Sequence, residues 1–365
     1  MFFWLQKILL LVAKQYTSIG GQAVIEGVMM RSPNAFVVAV RKADGGILLR
    51  RDQWYGLSKK LNIFKKPFLR GVLVLIESMA NGIVSLNYSA NIAQAGEDAK
   101  KGKVTEKKKE KVDLATFFTI ATSFLFGIAL FVLLPHGITA WISSMKGQGF
   151  ELDGFKFHFI DGVIKAFIFI LYIWLIGFLP DIKRVFQYHG AEHKSIATFE
   201  AGEKLEVANA RKYTTLHPRC GTSFIFFLLF ISIILFSVIF ALIPVGVGQP
   251  PVIKHAMAMI LKVIFTIPIA GISYEIIRFS GKHADKAVCR GISKPGMMLQ
   301  RLTTKEPDDQ QLEVALASIK AVLFLEEKFE LKSAQEKVLK VEEVEIKSLF
   351  DIEDSNTGLT DFLEA

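Results

Sequence analysis

Four stretches of this chain are each too long and too apolar to lie comfortably in water: Ala115–Leu134, Ile160–Leu179, Ser223–Ile243 and His255–Ile277. A helix needs roughly 20 predominantly apolar residues to cross the hydrocarbon of a bilayer. No other regular element except a closed barrel can satisfy its backbone there. With 51% hydrophobic residues and a mean hydropathy of +0.37, the chain is not a single soluble domain. The first span is read to end at Pro135, the second at Pro180 and the third at Pro244; Lys165 lies near the start of the second, where its stem can snorkel. The fourth carries Lys262, Pro268, Gly271 and Glu275.

A fifth apolar stretch, residues 67–92, is interrupted by Arg70, Glu77, Asn81 and Asn87. A charge at mid-bilayer costs roughly 3 kcal/mol, so this stretch is expected to be re-entrant or interfacial. Residues 93–113, with Lys107-Lys108-Lys109, read as a charged linker. The spans then occupy 114–278, with a polar loop at 181–222 between the second and third.

Lysine and arginine set the orientation. The loop 181–222 holds Lys183, Arg184, Lys194, Lys204, Arg211, Lys212 and Arg219, whereas 136–159 and 245–254 are poor in basic residues. By the positive-inside bias the central loop and both termini are cytoplasmic. The net charge of +9 hides an acidic end, since Val322 to Ala365 is rich in Asp and Glu, so the rest is strongly basic. These dispersed basic residues suit anionic lipid heads. They form no nucleic-acid motif, and no nucleic-acid partner is expected. The two cysteines, Cys220 and Cys289, make no disulfide framework.

Outside the membrane, residues 1–66 should form a small cytoplasmic β element after a short apolar start, Met1–Ala13. Ala23–Met30 and Ala35–Val40 are short runs rich in β-branched residues, and Asp44-Gly45-Gly46 is a hairpin signal before Ile47. Two to four strands are expected. Residues 279–325 form a C-terminal cytoplasmic segment, with helical spacing from Glu313 and a cap at or near Asp309. Residues 326–365 read as an acidic helical tail.

The loop holds the chemistry. His189 and His193 stand four apart, one face of a helix, with Glu192 between them; His217 and Cys220 follow. Zinc takes imidazole nitrogen and thiolate and favours four ligands, so His189, His193, His217 and Cys220 are the expected metal ligands. H-x-x-E-H is also the inverted zincin pattern, with Glu192 as general base and a distant third ligand. Glu275, Asp181 and Glu26 are candidates for that acidic ligand. Each has a plainer reading: the histidines as caps or lipid contacts, and Glu275 as a partner for Lys or Arg such as Arg278. Four protein ligands would leave a structural site.

Four motifs, Gly20 to Pro33 (GGQAVIEGVMMRSP), Tyr188 to Lys194 (YHGAEHK), Leu216 to Phe224 (LHPRCGTSF) and Leu302 to Ala315 (LTTKEPDDQQLEVA), occur in this order. Together they resemble the YqhQ-like family, over roughly Gly20 to Leu325. The resemblance implies a polytopic protein of the bacterial inner membrane, with relatives in plastids and a family label of predicted metal-dependent enzyme with no assigned reaction. It also implies that His189, Glu192, His193, His217 and Cys220 matter.

The expected protein is therefore an α-helical polytopic membrane protein with four transmembrane helices, one re-entrant or interfacial helix and a small cytoplasmic β element. It would carry a zinc-type site at the cytoplasmic surface. Three functions are open: metal-dependent hydrolysis of membrane protein or lipid, a non-catalytic platform for membrane proteins or their assembly machinery, or a small transporter suggested by Lys262 and Glu275.

Overall fold

A computed structural model describes residues 19–53, 66–100, 114–146, 154–243, 245–283, 286–331 and 342–352. The expected apolar start at Met1–Ala13 lies outside the described residues. Five helices are long and apolar enough to cross a membrane, where the sequence reading had four and an interfacial one. The chain is a multi-pass membrane protein, mostly helical, with a small antiparallel sheet.

The additional helix is α1 (Leu69–Lys100), 32 residues long. It absorbs the first residues of the stretch read as a linker. Its charges are paired off by neighbours. Arg70 holds Glu275 of a later helix through Nε at 2.7 Å and through Nη2, and Glu77 is buried and acts on Arg31 of the sheet. Side chains from Glu77 onward lie against the sheet: Gln22 crowds Gly82, Ser89 accepts a hydrogen bond from Ile25 N at 3.2 Å, and Tyr88 and Ile92 join its outer core.

Next come α2 (Leu114–Ile128), a π-helical turn at Ala129–Leu133 and α3 (Leu134–Lys146). The expected stop at Pro135 is not one. Proline lacks an N–H and clashes with the preceding turn, and the wide turn just before it takes up that strain and lets the helix continue. The span is displaced to Ala121–Met145, and His136 falls inside it. α4 (Phe155–Ile176), α7 (Gly221–Leu242) and α8 (Pro251–Lys282) complete the apolar bundle. Between α4 and α7 the polar loop is mostly helical: α5 (Pro180–Glu200), with Pro180 in its first turn, and the short α6 (Val207–Ala210). α9 (Ala287–Thr303) and α10 (Asp309–Leu331) follow the bundle.

The sheet is a meander of five strands, one more than the upper expectation: β1 (Gly20–Val24), β2 (Gly27–Arg31), β3 (Ala35–Arg41), β4 (Ile47–Gln53) and β5 (Glu342–Ile346). β5 corrects the reading of the acidic end as helical throughout. Antiparallel register sets Glu342 opposite Arg51 and Glu343 opposite Arg50. Arg51, fully buried, pairs with Glu342, and Lys42 pairs with Glu345 at 2.8 Å. The basic strand β4 thus binds an acidic strand whose Val344 and Ile346 alternate with glutamates. The boundary drawn at residue 326 also falls inside α10, where buried Glu326 accepts hydrogen bonds from Ser32 Oγ and Asn34 Nδ2, each at 2.6 Å.

One face of the sheet, with Val28, Met30, Val37 and Ala39, packs on α10 and on the Tyr188, Ala191 and Ile196 side of α5. The other face packs on α1. Covered on both sides, β3 is buried at every position but the last, which explains its unbroken apolar run. This sandwich holds α5 rigidly against β1.

Candidate metal centre

His189 and His193 lie on one face of α5, and Cys220 is the residue before α7, at the mouth of an apolar span. One ligand atom from each of these three lies within 4.8 Å of the others. His189 Nε2 is 3.1 Å from Cys220 Sγ. The opposite ring nitrogens are both engaged by backbone: His189 Nδ1 donates to Thr303 O at 2.9 Å, and His193 Nδ1 donates to Thr215 O at 2.6 Å. Each carbonyl fixes the Nδ1–H tautomer and leaves the Nε2 lone pair free, the arrangement that metal-ligating histidines use. Nε2 of His193 is buried without a hydrogen-bond partner. The sulfur accepts from Thr222 N at 3.4 Å and lies 3.2 Å from Thr222 Oγ1. Two imidazole lone pairs and a thiol converging in one buried spot fit a zinc-type ion.

The motif letters around the ligands have identifiable jobs. A Cβ on Gly190 would come within 2.1 Å of Lys305 O. Glycine there lets the Thr303–Glu306 segment lie on α5 and deliver its carbonyl to His189. Glu192 is 5% exposed and packs on Gly21 of β1, where a Cβ would meet its carboxyl at 2.9 Å. Burial pushes its pKa up, against a smaller opposing pull from His189 and His217. Buried Lys194 is held by Glu306 and by Arg211 O at 3.3 Å. Burial lowers the pKa of His193, partly offset by the neighbouring Cys220 sulfur, and burial likewise lowers that of His217.

His217 stands beside the trio and outside it. Its ring is 5.6 Å from that of His193, but its Nε2 faces Glu200 Oε2 at 3.4 Å, and Glu200 also pairs with Arg219. Gln300 clamps its backbone, accepting from His217 N and donating to His217 O, both at 2.8 Å. The expected tetrahedron is therefore three side chains and a neighbour. A site held by three such protein ligands, unlike a closed set of four, would keep a coordination position for another group.

The three acidic candidates are elsewhere. Glu275 is the partner of Arg70. Glu26 binds Arg184 through two hydrogen bonds of 2.5 Å and accepts from Tyr188 at 3.4 Å. Asp181 is exposed in the first turn of α5, where a negative charge suits the helix N-terminus. Sequence reasoning missed Thr215, Thr303 and Gln300, which act through backbone or on backbone; only the LTTKEP motif signalled that the segment from Leu302 mattered.

The family described as "Protein of unknown function (DUF1385)" matches residues 66–324. The chain is similar to "Uncharacterized protein YqhQ" of Bacillus subtilis (strain 168), 36% identical over 318 residues that cover 84% of this chain and 92% of the relative. No solved structure matches.

Proposed function

This chain belongs to the DUF1385 (YqhQ-like) family, and we propose that it is a membrane protein with a zinc-type metal site at the cytoplasmic surface of a bacterial inner membrane, both termini facing the cytosol. The carrying observation is the convergence of His189 Nε2, His193 Nε2 and Cys220 Sγ, with both Nδ1 atoms tied to backbone carbonyls. A zinc-type ion held there supplies Lewis acidity toward a carbonyl or phosphoryl oxygen and a nucleophile from water at neutral pH. His189, His193 and Cys220 hold it. Glu192, its pKa raised by burial, is the group beside the imidazoles that takes up and gives back a proton. The surrounding sheet and Thr303–Glu306 segment keep bulk water from the ligands. In this reading the protein hydrolyses a membrane protein or lipid that presents its bond at the bilayer surface. The basic residues of the 181–222 segment suit an anionic lipid surface.

The test is metal analysis of protein purified in its membrane-derived form and reloaded with zinc. Wild type is expected to hold zinc stoichiometrically. His193→Ala and Cys220→Ala should each lose at least about 100-fold in affinity, the upper end of what even an outer-shell partner costs, while His217→Ala loses less. Wild type that takes up no zinc overturns the reading. The second reading is a non-catalytic platform for other membrane proteins, favoured by the sheet and α10 around the site. Glu192→Gln separates the two: it leaves metal content unchanged in both, and abolishes turnover only in an enzyme.

A further inference from the structure

A second group of ionisable side chains is enclosed by the apolar bundle itself. Asp161 of α4 is 2% exposed and Lys262 of α8 is 3% exposed. Lys262 Nζ donates to Asp161 Oδ2 at 2.6 Å and lies 3.5 Å from Nδ1 of His136 on α3. His136 Nε2 is 2.8 Å from Nδ1 of His255. His255 is half-buried near the start of α8, so this line of side chains leads from the bundle interior toward the membrane face where α8 begins.

Its two ends are unlike. Asp161 Oδ2 is satisfied by Lys262, whereas Asp161 Oδ1 is buried with no hydrogen-bond partner. His136 Nδ1 is 3.8 Å from that oxygen. While Lys262 donates to Nδ1, the ring proton of His136 sits on Nε2 and is donated to His255 Nδ1, so no proton points at Oδ1. An ion pair serving only structure would satisfy both carboxylate oxygens, since an uncompensated buried lone pair is costly. A group of this kind inside a membrane is by default a functional site.

We propose that this cluster is a proton-binding site, loaded through His255 from the face on which α8 begins, with the bound proton on Nδ1 of His136 facing Oδ1 of Asp161. Loading adds one proton: Lys262 gives up Nδ1 and keeps Oδ2, the neutral ring takes the tautomer with its own proton on Nδ1 facing Oδ1, Nε2 accepts the incoming proton from Nδ1–H of His255, and the cluster gains one positive charge. The ionisable groups around it are His136 on α3, Asp161, His158 and Lys165 on α4, and Lys254, His255 and Lys262 on α8. α7 offers only uncharged side chains, Phe240 stacking on His158 at 4.3 Å. Lys165, one turn beyond Asp161, acts on the same carboxylate. Its like charge keeps loading reversible.

The site stands apart from the His/Cys trio and does not depend on a metal there. Full-length protein carrying ¹⁵N-histidine in nanodiscs gives the protonation state of each imidazole nitrogen, and His136→Gln identifies the relevant signals. Nδ1 of His136 is expected to take up a proton as the pH is lowered, with one resolved midpoint. Asp161→Asn should lower its midpoint by roughly 1 to 3 units, the effect of removing a close opposite charge. Because Asp161→Asn strands Lys262, the double variant Asp161→Asn/Lys262→Gln supplies the same measurement with both charges gone, and the midpoint should again fall. His255→Phe should keep the midpoint and slow loading after a pH jump. A His136 ring that holds one protonation state throughout, or a midpoint indifferent to Asp161, overturns the proposal.

Discussion

The two histidine clusters of this molecule solve opposite electrostatic problems. At the membrane boundary, backbone carbonyls take the Nδ1 protons of His189 and His193, so two lone pairs and a sulfur face one another with no positive charge between them. Inside the bundle, His136 and Asp161 face Lys262, a cation that the chain carries covalently. The first cluster carries no cation of its own, and the second is already neutralised. The difference lies in which groups hold the imidazoles: the main-chain oxygens of Thr215 and Thr303 in one case, titratable side chains in the other.

The sharpest way to break this contrast is to remove the built-in cation. Lys262→Met leaves Asp161 as an uncompensated buried charge and should destabilise the protein by about 3–5 kcal/mol, whereas Lys262→Met/Asp161→Asn should recover most of that loss. Unfolding in detergent by urea, with and without zinc, reads both. Zinc should raise the stability of wild type and of the double variant alike and leave the ranking of the variants unchanged. If zinc restored Lys262→Met to wild-type stability, the bundle cluster would be a metal site too, and the contrast would fail.

The sequence made one cluster legible and hid the other, for physical reasons. His189, Glu192, His193 and Cys220 are short-range signals: residue types that bind metals, at helical spacing or within one loop. The spans Gly221–Leu242 and Phe155–Ile176 were equally clear from their unbroken apolar runs. The bundle cluster was obscured because Pro135 read as a helix end. That put His136 in an exterior loop, when a π-helical turn carries the helix past the proline and the histidine into the bundle. Glu77 and Arg70 argued against a long α1 because their partners, Arg31 and Glu275, are remote in sequence. The strand Glu342–Ile346 looked like a solvated acidic tail because its counter-charges, Arg51 and Lys42, lie about three hundred residues away. The position of His217 depends on Gln300 and Glu200, and no spacing rule could turn its ring out of the trio.

A smaller effect tests how tightly the sheet sets the boundary cluster. Gly21→Ala places a Cβ where the Glu192 carboxyl lies, at 2.9 Å. Overpacking of this kind costs about 1–3 kcal/mol. Because Glu192 is one residue from His193, zinc affinity should fall together with thermal stability. If stability fell and zinc affinity did not, the Glu192 carboxyl would be packing and the trio would be independent of it.

The pH dependence of the metal-free protein follows from the same burial. His193 and His217 have pKa values below the ordinary 6.5, so the unfolded chain takes up protons that the folded one refuses. Their contribution is intact above pH 6.5 and is lost as the pH falls below it, by at most about 1.4 kcal/mol per pH unit for each imidazole. Glu192 acts oppositely. Its pKa is raised above 4.5, so the folded state keeps a proton that the unfolded chain releases, and stability drops as the pH rises from 4.5. The two trends partly cancel in wild type. In Glu192→Gln the decline below pH 6.5 should be steeper, as measured by denaturant midpoints across that range. An unchanged slope would mean that the carboxyl does not hold its proton in the folded state.

The smallest expected effect concerns the segment that delivers the Thr303 carbonyl. α10 begins with a reciprocal cap: Gln311 N donates to Asp308 Oδ1 at 2.8 Å, and Asp308 N donates to Gln311 Oε1 at 3.0 Å. Asp308→Ala should cost about 1 kcal/mol. The cap fixes one end of the stretch from Thr303 to Asp308, and its other end is pinned by Lys305 N donating to Phe186 O at 2.9 Å. Loosening one end should therefore leave the His189 Nδ1 bond in place and zinc affinity within a few-fold of wild type. The bundle cluster, which shares no element with this segment, should keep its titration unchanged. A large loss of zinc affinity in Asp308→Ala would show that the main-chain support of His189 is held from α10 rather than from α5, and would move the rigid half of the comparison from the sheet to the helix.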